Sequence, residues 1–185
     1  AETFFDTIMV NGQIYPYMNV EPKAYRFRIL NAANDRFFNL NIYEADTLQV
    51  AHAAGGGVTP SNTEVEMCAT PGPIPAFKPI CWNETQFPNW PNDGRVEGVP
   101  NPSRLGPDIV YLGTEGGFLP KPVVLTGQPM TWVGDPTAFN VGNVDQFNLF
   151  VGPAERADVV IDFTGWEGKT LIFYNDAPAA VPAFD

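Results

Sequence analysis

The sequence is poor in basic residues and has no long apolar run. It carries 10 Lys and Arg against 21 Asp and Glu, which gives a formal net charge of −11. Binding to nucleic acid or to an anionic membrane surface depends on clustered Lys and Arg, so this balance argues against both. No apolar stretch approaches the roughly 20 residues of a membrane-spanning helix. The acidic balance identifies no partner by itself, because acidic surfaces commonly serve solubility.

Histidine and cysteine are scarce as well. His52 is the single histidine of the chain, and it is interpreted as a structural or solvated side chain rather than as a ligand or proton shuttle. Cys68 and Cys81 both lie in the most proline-rich region, where two interpretations stay open: a disulfide in an exported protein, or two reduced thiols. The two cysteines make a poor zinc site, because no histidine stands near them.

A long helical pattern is also absent, while turn-forming residues are abundant. The 185 residues include 19 Pro and 17 Gly, a composition that predicts an all-β protein with many turns. Hydrophobic residues make up 44% and aromatic residues 13% of the chain, which is enough for a substantial core. The length allows one domain, or one domain with a large insertion.

Strand-like alternation is clearest between Phe147 and Phe163, a segment that predicts strand, tight turn and strand. Gly152-Pro153 interrupts the alternation, since Pro has a fixed backbone angle and no amide hydrogen. Val160 lies on the otherwise polar face of the second strand, so that face is expected to be half covered. The side chains predicted to face the core are Phe147, Leu149, Val151, Ala157, Val159, Ile161 and Phe163.

Similar patterns occur along the rest of the chain. Asn11-Gly12 is typical of a hairpin turn, and Gly116-Gly117 predicts a second turn. About nine short strands separated by turns predict an antiparallel Greek-key β-sandwich. The other residues expected to be buried together are Phe27, Ile29, Leu40, Ile42 and Leu171.

Periodicity disappears between about residues 53 and 107. We interpret this segment as a proline-rich insertion in a single sandwich domain whose core comprises residues 4–52 and 108–180. A long structureless stretch inside a compact domain needs a reason, and disordered linkers are poor in aromatic residues. Trp82, Phe87 and Trp90 are therefore expected to pack the insertion onto the sandwich. Its further apolar residues are expected to dock too: Val58, Val65, Met67, Ile74, Phe77, Ile80, Val96 and Val99.

Six segments, in their order along the chain, resemble the middle cupredoxin domain of a three-domain multicopper oxidase. The resemblance is to the group of bacterial spore-coat laccase, bilirubin oxidase and phenoxazinone synthase, and it covers residues 4–50 and 108–180. Residues 53–107 depart from the pattern of that group. Because the chain starts almost in a strand and stops without a closing element, we expect it to be part of a longer protein. The six segments are DTIMVNGQIYPYMNVEP, KAYRFRILNAAN, RFFNLNIY, LGTEGGFLPKPV, VGPAERADVVIDF and EGKTLIFYND.

The resemblance implies a role within a larger enzyme. Such oxidases take single electrons from phenols, bilirubin-like pigments or metal ions at one copper, and reduce dioxygen to water at a trinuclear copper cluster. His-rich motifs in the first and third domains hold the coppers, and the middle domain bridges these two flanking cupredoxin domains. The middle domain also helps to wall the substrate pocket, a role that the resemblance assigns to Asn175, Asp176, Ala177 and Pro178. An exported location is expected for the parent enzyme.

The residues of this chain agree with a bridging role. A blue copper site needs two His and one Cys, usually with an axial Met, whereas this chain has only His52. The isolated chain is therefore expected to bind no copper in a blue site and to show no phenol oxidase activity. The alternative is an autonomous binding module whose aromatic insertion contacts a saccharide or a protein. Exposed aromatic residues in the insertion would favour this module, and buried ones would favour the bridging domain.

Two charged positions also receive structural interpretations. Arg156 opens a strand and is expected to form an ion pair with Asp158 or Asp162. Glu115 precedes two glycines and is interpreted as a carboxylate that fixes a turn. A general base would need a partner and a raised pKa, and the sequence offers no sign of either.

Overall fold

Antiparallel strands form nearly all of the regular structure. The computed structural model describes residues 7–47, 50–51, 58–59, 62–70, 81–95 and 98–178. A single 3₁₀ turn, Pro102–Arg104, is the helical element of these residues. The strands are β1 Met9–Val10, β2 Gln13–Ile14, β3 Ala24–Leu30, β4 Phe38–Glu44, β5 Val50–Ala51, β6 Val58–Thr59, β7 Met67–Cys68, β8 Val99–Pro100, β9 Ile109–Thr114, β10 Gly117–Leu125, β11 Leu149–Val151, β12 Arg156–Asp162 and β13 Leu171–Asn175.

Two sheets face each other and enclose the main core. The four-stranded sheet has the order β10-β9-β12-β3, and the three-stranded sheet has the order β11-β4-β13. Each sheet contributes alternate side chains, so the apolar layer between them is that of a sandwich. The predicted all-β, cupredoxin-like sandwich is confirmed at this level. The core residues from the two sheets are Leu40, Ile42, Ile109, Leu149, Val151, Ala157, Val159 and Ile161.

The predicted inward face of β12 is confirmed. Ala157, Val159 and Ile161 are each at most 2% exposed, while Val160 on the opposite face is half-buried. The strand pairs with β3 on one side and with β9 on the other, so its backbone is bonded along both edges. The remaining predicted core residues also take their places: Leu40 and Ile42 are buried, and Phe27, Ile29 and Leu171 pack against them half-buried.

The segment from Phe147 to Phe163 crosses between the sheets. β11 pairs with β4 in the three-stranded sheet, whereas β12 lies in the four-stranded sheet. The turn is held by Gly152, whose N–H donates to the Glu155 carboxylate at 2.6 Å, and by Ala154, which has a positive φ of 66°. The prediction that Phe147 is buried was wrong, since its side chain is 48% exposed. It precedes the ladder, which begins at Leu149, so the alternation does not apply to it.

Both predicted turns are present. Asn11 and Gly12 have φ values of 50° and 81°, and they join β1 to β2 as a two-residue hairpin turn requires. The turn between β9 and β10 lies at Glu115 and Gly116, one residue before the predicted Gly116-Gly117, because Gly117 already pairs with Thr114. The Glu115 carboxylate accepts from the Arg156 backbone N–H at 2.9 Å, and this bond ties the turn to β12.

The ion pair expected for Arg156 was wrong. The Arg156 guanidinium donates instead to the Ala154 carbonyl at 2.8 Å. Asp158 pairs with Arg26 of the neighbouring strand, at 2.5 Å between Nη2 and Oδ2. A residue of the adjacent strand therefore replaces the sequence neighbour as the partner. Arg28 lies directly opposite Asp158, and Arg26 is the diagonal neighbour on the same face, within reach of a long side chain. In the part of the chain that the structure describes, no helix has the length and hydropathy to cross a membrane.

Candidate functional site

Described residues of the segment 53–107 cover the outer face of the three-stranded sheet. We keep the name insertion for this segment, as the sequence analysis interprets it. Tyr43 of β4 points away from the sandwich core and is fully buried under residues of the insertion. Ile172 and Tyr174 of β13 extend the same face, and the Tyr43 and Tyr174 rings meet edge to face. We call this cluster the outer layer. Its insertion residues are Val65, Met67, Cys68, Trp82, Phe87, Trp90, Val99 and Leu105.

Side-chain bonds hold the outer layer together. Cys68 and Cys81 are joined as a disulfide with their Cα atoms 5.5 Å apart, within the usual range for such a bond. The Trp90 indole N–H donates to the Pro100 carbonyl at 2.9 Å. Glu66 accepts from Arg104 at 2.8 Å and from the Asn101 side chain at 2.9 Å. The prediction that the insertion docks on the sandwich holds for these residues.

Several predicted positions have no described side chain. Val65 and Val99 are buried as expected, and Met67 is half-buried. The side chains outside the described residues are those of His52, Val58, Ile74, Phe77, Ile80 and Val96.

The aromatic residues of the insertion bear on the choice between the two functions. Trp82 and Trp90 are 7% and 8% exposed, and Phe87 is half-buried against them. An exposed aromatic surface was the feature that would have favoured an autonomous binding module. Their burial favours the bridging domain.

An open cleft remains where the outer layer meets the end of β10. It has a volume of about 220 Å³ and is lined by residues 86–90, Leu105 and residues 126–128. A second, smaller hollow of about 100 Å³ lies on the four-stranded sheet beside Phe118 and Asp158.

The proposed pocket-wall residues are part of a bonded network at the end of β13. The Asn175 side-chain oxygen accepts from the backbone N–H groups of Asn39 and Ala177, at 2.8 and 3.1 Å. The Asp176 carboxylate accepts from the Asn39 amide at 2.5 Å and from the Met130 N–H at 2.8 Å. Ala177 is 4% exposed, and Pro178 is exposed. The four residues lie together, but neither of the two hollows is lined by them.

Asp176 contributes a carboxyl group with a shifted pKa to this network. Burial raises its pKa to about 6, and the donated bonds from Asn39 and Met130 and the nearby Arg95 offset only part of that rise. Arg95 reaches the network from the insertion, because its guanidinium donates to the Met130 carbonyl at 2.8 Å. The backbone of Met130 therefore connects the insertion on one side with Asp176 on the other.

Buried asparagines complete this region and were missed by the sequence reasoning. Asn39, Asn41 and Asn148 are at most 4% exposed. The Asn148 N–H donates to the Asn39 side chain at 2.6 Å, and its own amide donates to the Leu40 carbonyl at 2.9 Å. The signal in the sequence was asparagine rather than a charged residue on the polar face of a strand, but alternation alone assigns that face to solvent.

These residues do not fit a copper centre. In the described ranges no three His, Cys, Asp or Glu side chains come together as a metal-binding group. Both cysteine sulfurs are used in the disulfide, and the chain has one histidine where a blue copper site needs two.

Comparison with known proteins relates the chain to one enzyme family. No family model matches it. A laccase of Haloferax volcanii is 60% identical over 172 residues, which are 93% of this chain and 17% of the laccase. A laccase of Bacillus subtilis is 26% identical over 172 residues, 93% of this chain and 18% of its own length. This chain is a domain-sized relative of the laccases. The multicopper oxidase LPR1 of Arabidopsis thaliana is 24% identical over 184 residues, 100% of this chain and 18% of its own length.

The match to the laccases therefore covers most of this chain but only a small part of each laccase. The chain spans less than a fifth of the length of these curated relatives, while the relatives cover nearly all of the chain. These findings establish that the chain is an antiparallel sandwich and that it corresponds to one segment of a multicopper oxidase.

Proposed function

We propose that this chain is the non-catalytic middle domain of a laccase-like multicopper oxidase. It bridges the two copper-bearing cupredoxin domains of the same parent chain. The parent enzyme couples one-electron oxidation of phenolic, pigment or metal-ion substrates to the reduction of dioxygen to water. Copper supplies that chemistry from the flanking domains, since this chain has a single histidine. The Cys68–Cys81 disulfide suits an exported parent protein.

The bridging role is supported chiefly by an exposed apolar surface on the hairpin β1–β2 and on the residues after it. Met9, Ile14, Tyr15, Tyr17 and Met18 are between 58% and 91% exposed. A two-stranded hairpin is marginally stable by itself in water, and contiguous exposed apolar side chains mark interaction surfaces. We assign this surface to a flanking domain of the parent chain.

A second apolar surface lies on the edge strand β10. Phe118 and Val124 are 74% and 61% exposed. Pro120 and Pro122 interrupt this edge and have no N–H to donate, so another strand cannot be added along its whole length. A partner domain would therefore meet β10 through side chains, as domains within one chain do.

The segment 175–178 forms part of the substrate-pocket wall in this proposal. Its network fixes the end of β13 through Asn39 and Met130, and Pro178 is the member that stays exposed. A fixed backbone with one exposed residue suits a wall, because positioning of substrate depends on a rigid frame. The proposal gives these residues no catalytic step.

A segment exchange in the Haloferax volcanii laccase tests the proposal. The part of that laccase aligned with this chain is replaced by this chain, and copper content and phenol oxidation are measured. The exchanged enzyme is expected to load copper and to oxidise phenols, whereas this chain alone with added copper is expected to show neither a blue Cu–thiolate band nor activity.

A charge placed on this exposed apolar surface tests the same assignment. Tyr17→Asp, after the hairpin, should weaken assembly of the exchanged enzyme but leave the fold of the chain alone unchanged, since Tyr17 is 91% exposed. Gln13→Asp, at an exposed polar position of β2, is the matched control and should have little effect. A folded exchanged enzyme that loads no copper would reject the middle-domain assignment.

A further inference from the structure

The turn that follows the disulfide carries a motif that the bridging role does not use. Asn83, Glu84 and Thr85 form an Asn-x-Thr sequence, the acceptor motif for N-linked sugars in exported proteins. We propose that the Asn83 side chain is the attachment site of an N-linked oligosaccharide. The site goes beyond the proposed function and shares with it only the expectation of export.

The sequence offers a single acceptor of this kind. Asn83 is the one asparagine of the 185 residues that has Ser or Thr two positions later and a residue other than Pro in between. Asn101 has Ser103 at the same distance, but Pro102 stands between them and blocks the motif. These two asparagines therefore allow a comparison of a permitted position with a blocked one.

The Asn83 side chain is oriented with its amide nitrogen unused. Its oxygen Oδ1 accepts from the Thr85 backbone N–H at 2.9 Å, the bond by which an asparagine closes a turn with the residue two positions later. The oxygen and the nitrogen of an amide point in different directions from their shared carbon, so Nδ2 is directed away from this bond. Among the described residues, no hydrogen bond engages Nδ2 or the Thr85 hydroxyl group, and both side chains are exposed.

Asn101 is held in the opposite way. It is 7% exposed, its Nδ2 donates to the Glu66 carboxylate at 2.9 Å, and its side-chain oxygen accepts from the Ser103 N–H at 2.9 Å. A sugar on this nitrogen would break the bond to Glu66 and would need space inside the outer layer. The asparagine whose motif is blocked is thus the one that the fold could not accept in modified form, whereas the permitted one faces solvent.

The fold fixes the acceptor on the solvent side of the outer layer. Trp82, directly before Asn83, is 7% exposed, and Cys81 before it is half of the disulfide. The Asn83 carbonyl accepts from the Phe87 N–H at 2.9 Å, which closes the turn on its other side. Residues 83–86 are all exposed. An attached oligosaccharide can therefore extend into solvent without displacing any protein group.

The transfer requires an enzyme of the export pathway and a lipid-linked donor. The Asn83 Nδ2 forms a bond to the anomeric carbon of the oligosaccharide, and the bond from that carbon to the diphosphate of the lipid carrier breaks. The carrier leaves as the diphosphate, and the nitrogen gives one proton to a base of the transferase, so nothing is oxidised or reduced. The disulfide at Cys81 suits the same exported setting.

Secretion of the 185-residue chain by a yeast is the direct test. The chain is placed behind a cleavable export signal, and its intact mass is measured before and after treatment with peptide N-glycosidase. The secreted chain is expected to be heavier by an oligosaccharide that this enzyme removes, and peptide mapping should then find an aspartate at position 83. A secreted and folded chain with Asn83 unmodified would overturn the proposal.

Paired variants of Thr85 separate the motif from the fold. Thr85→Ser keeps a hydroxyl group and should keep the oligosaccharide, whereas Thr85→Ala should lose it; both keep the backbone N–H that bonds to Asn83. An oligosaccharide that persisted in Thr85→Ala would be attached elsewhere and would reject this site. The modified chain should unfold at a temperature no lower than that of Thr85→Ala, and a clear loss of stability on modification would contradict the solvent-facing placement. None of these measurements involves copper, so their outcome is independent of the bridging role.

Discussion

The three-stranded sheet has two covered faces that are ordered in different ways. On its inner face, β4 and the seven-residue strand β12 belong to opposed sheets with continuous backbone ladders and alternating apolar side chains. On its outer face, the insertion contributes the two-residue ladder β7–β8 and depends on a disulfide, an indole bond and an ion pair. Backbone pairing orders the first region, and particular side chains order the second.

Proline explains much of this difference. A proline residue cannot donate to a ladder, so a proline-rich segment cannot form long paired strands. Its backbone also has less conformational freedom to lose on folding. A few strong anchors can then fix it, which means that the loss of one anchor should be felt more in the outer layer than the loss of one ladder bond in the sandwich.

Removal of the Trp90 ring should have the largest effect. Trp90→Ala is expected to lower the free energy of unfolding by about 3–5 kcal/mol, the usual cost of deleting a buried large aromatic side chain. Trp90→Phe keeps most of the apolar contact but leaves the Pro100 carbonyl without its donor, at about 1–3 kcal/mol. Chemical denaturation followed by circular dichroism measures both. A loss under about 1 kcal/mol for Trp90→Ala would separate the outer layer from the cooperative fold.

A truncation in the sandwich core gives the reference value for that comparison. Ile161 is 2% exposed, and Ile161→Ala should cost about 2–5 kcal/mol, whereas Ile161→Val should cost about 0.5–1.5 kcal/mol. The same denaturation measurement applies. If Ile161→Ala proved harmless, the inward register of β12 would be wrong.

Loss of the disulfide should act on the outer layer first. Cys81→Ser opens a loop with a sequence separation of 13, and the chain-entropy estimate for such a loop is roughly 3 kcal/mol. Limited proteolysis of this variant should cut within residues 55–107 while the sandwich stays intact. The unaltered, non-reduced protein should resist cleavage there. Equally rapid cleavage of the non-reduced protein would contradict the docking of the insertion.

The smallest predicted effect is a pH dependence at the junction of the two regions. The pKa of Asp176 is raised from 3.8 to about 6, so the fold favours its protonated form. Its contribution to stability is complete below about pH 4 and is lost as the pH rises through about 6. Asp176→Asn loses one of the two accepted bonds at every pH. Its stability relative to that of the unaltered chain should nevertheless rise between pH 4 and pH 7, because the variant has no carboxylate to charge.

Asp158→Asn is the matched control and should leave the slope between pH 4 and pH 7 unchanged. Asp158 acts in a different window, since Arg26 lowers its pKa below 3.8 and its stabilisation is lost only in stronger acid. Thermal unfolding measured at several pH values separates these cases. Parallel curves for the Asp176 variant and the unaltered chain would refute the assignment.

Sequence reasoning was accurate where a rule is local. Alternation identified the buried face of β12, and Asn11-Gly12 identified a hairpin turn, because strand pleating and positive φ depend on a few adjacent residues. It was wrong for the burial of Phe147 and for the ion-pair partner of Arg156. Both errors concern where a ladder begins and which strand lies opposite, and neighbouring residues along the chain do not carry that information.

The sequence by itself determined that this chain cannot build the blue copper site of a multicopper oxidase. One histidine is too few for such a site in any fold. Only the tertiary structure decided that β4 is buried on both faces, since Asn39 and Asn41 occupy the face that alternation assigns to water. Their amides are satisfied by Asn148, Gln128 and Asp176, which lie far away in the chain. A buried polar group requires a partner, and folding alone brings distant partners within bonding distance.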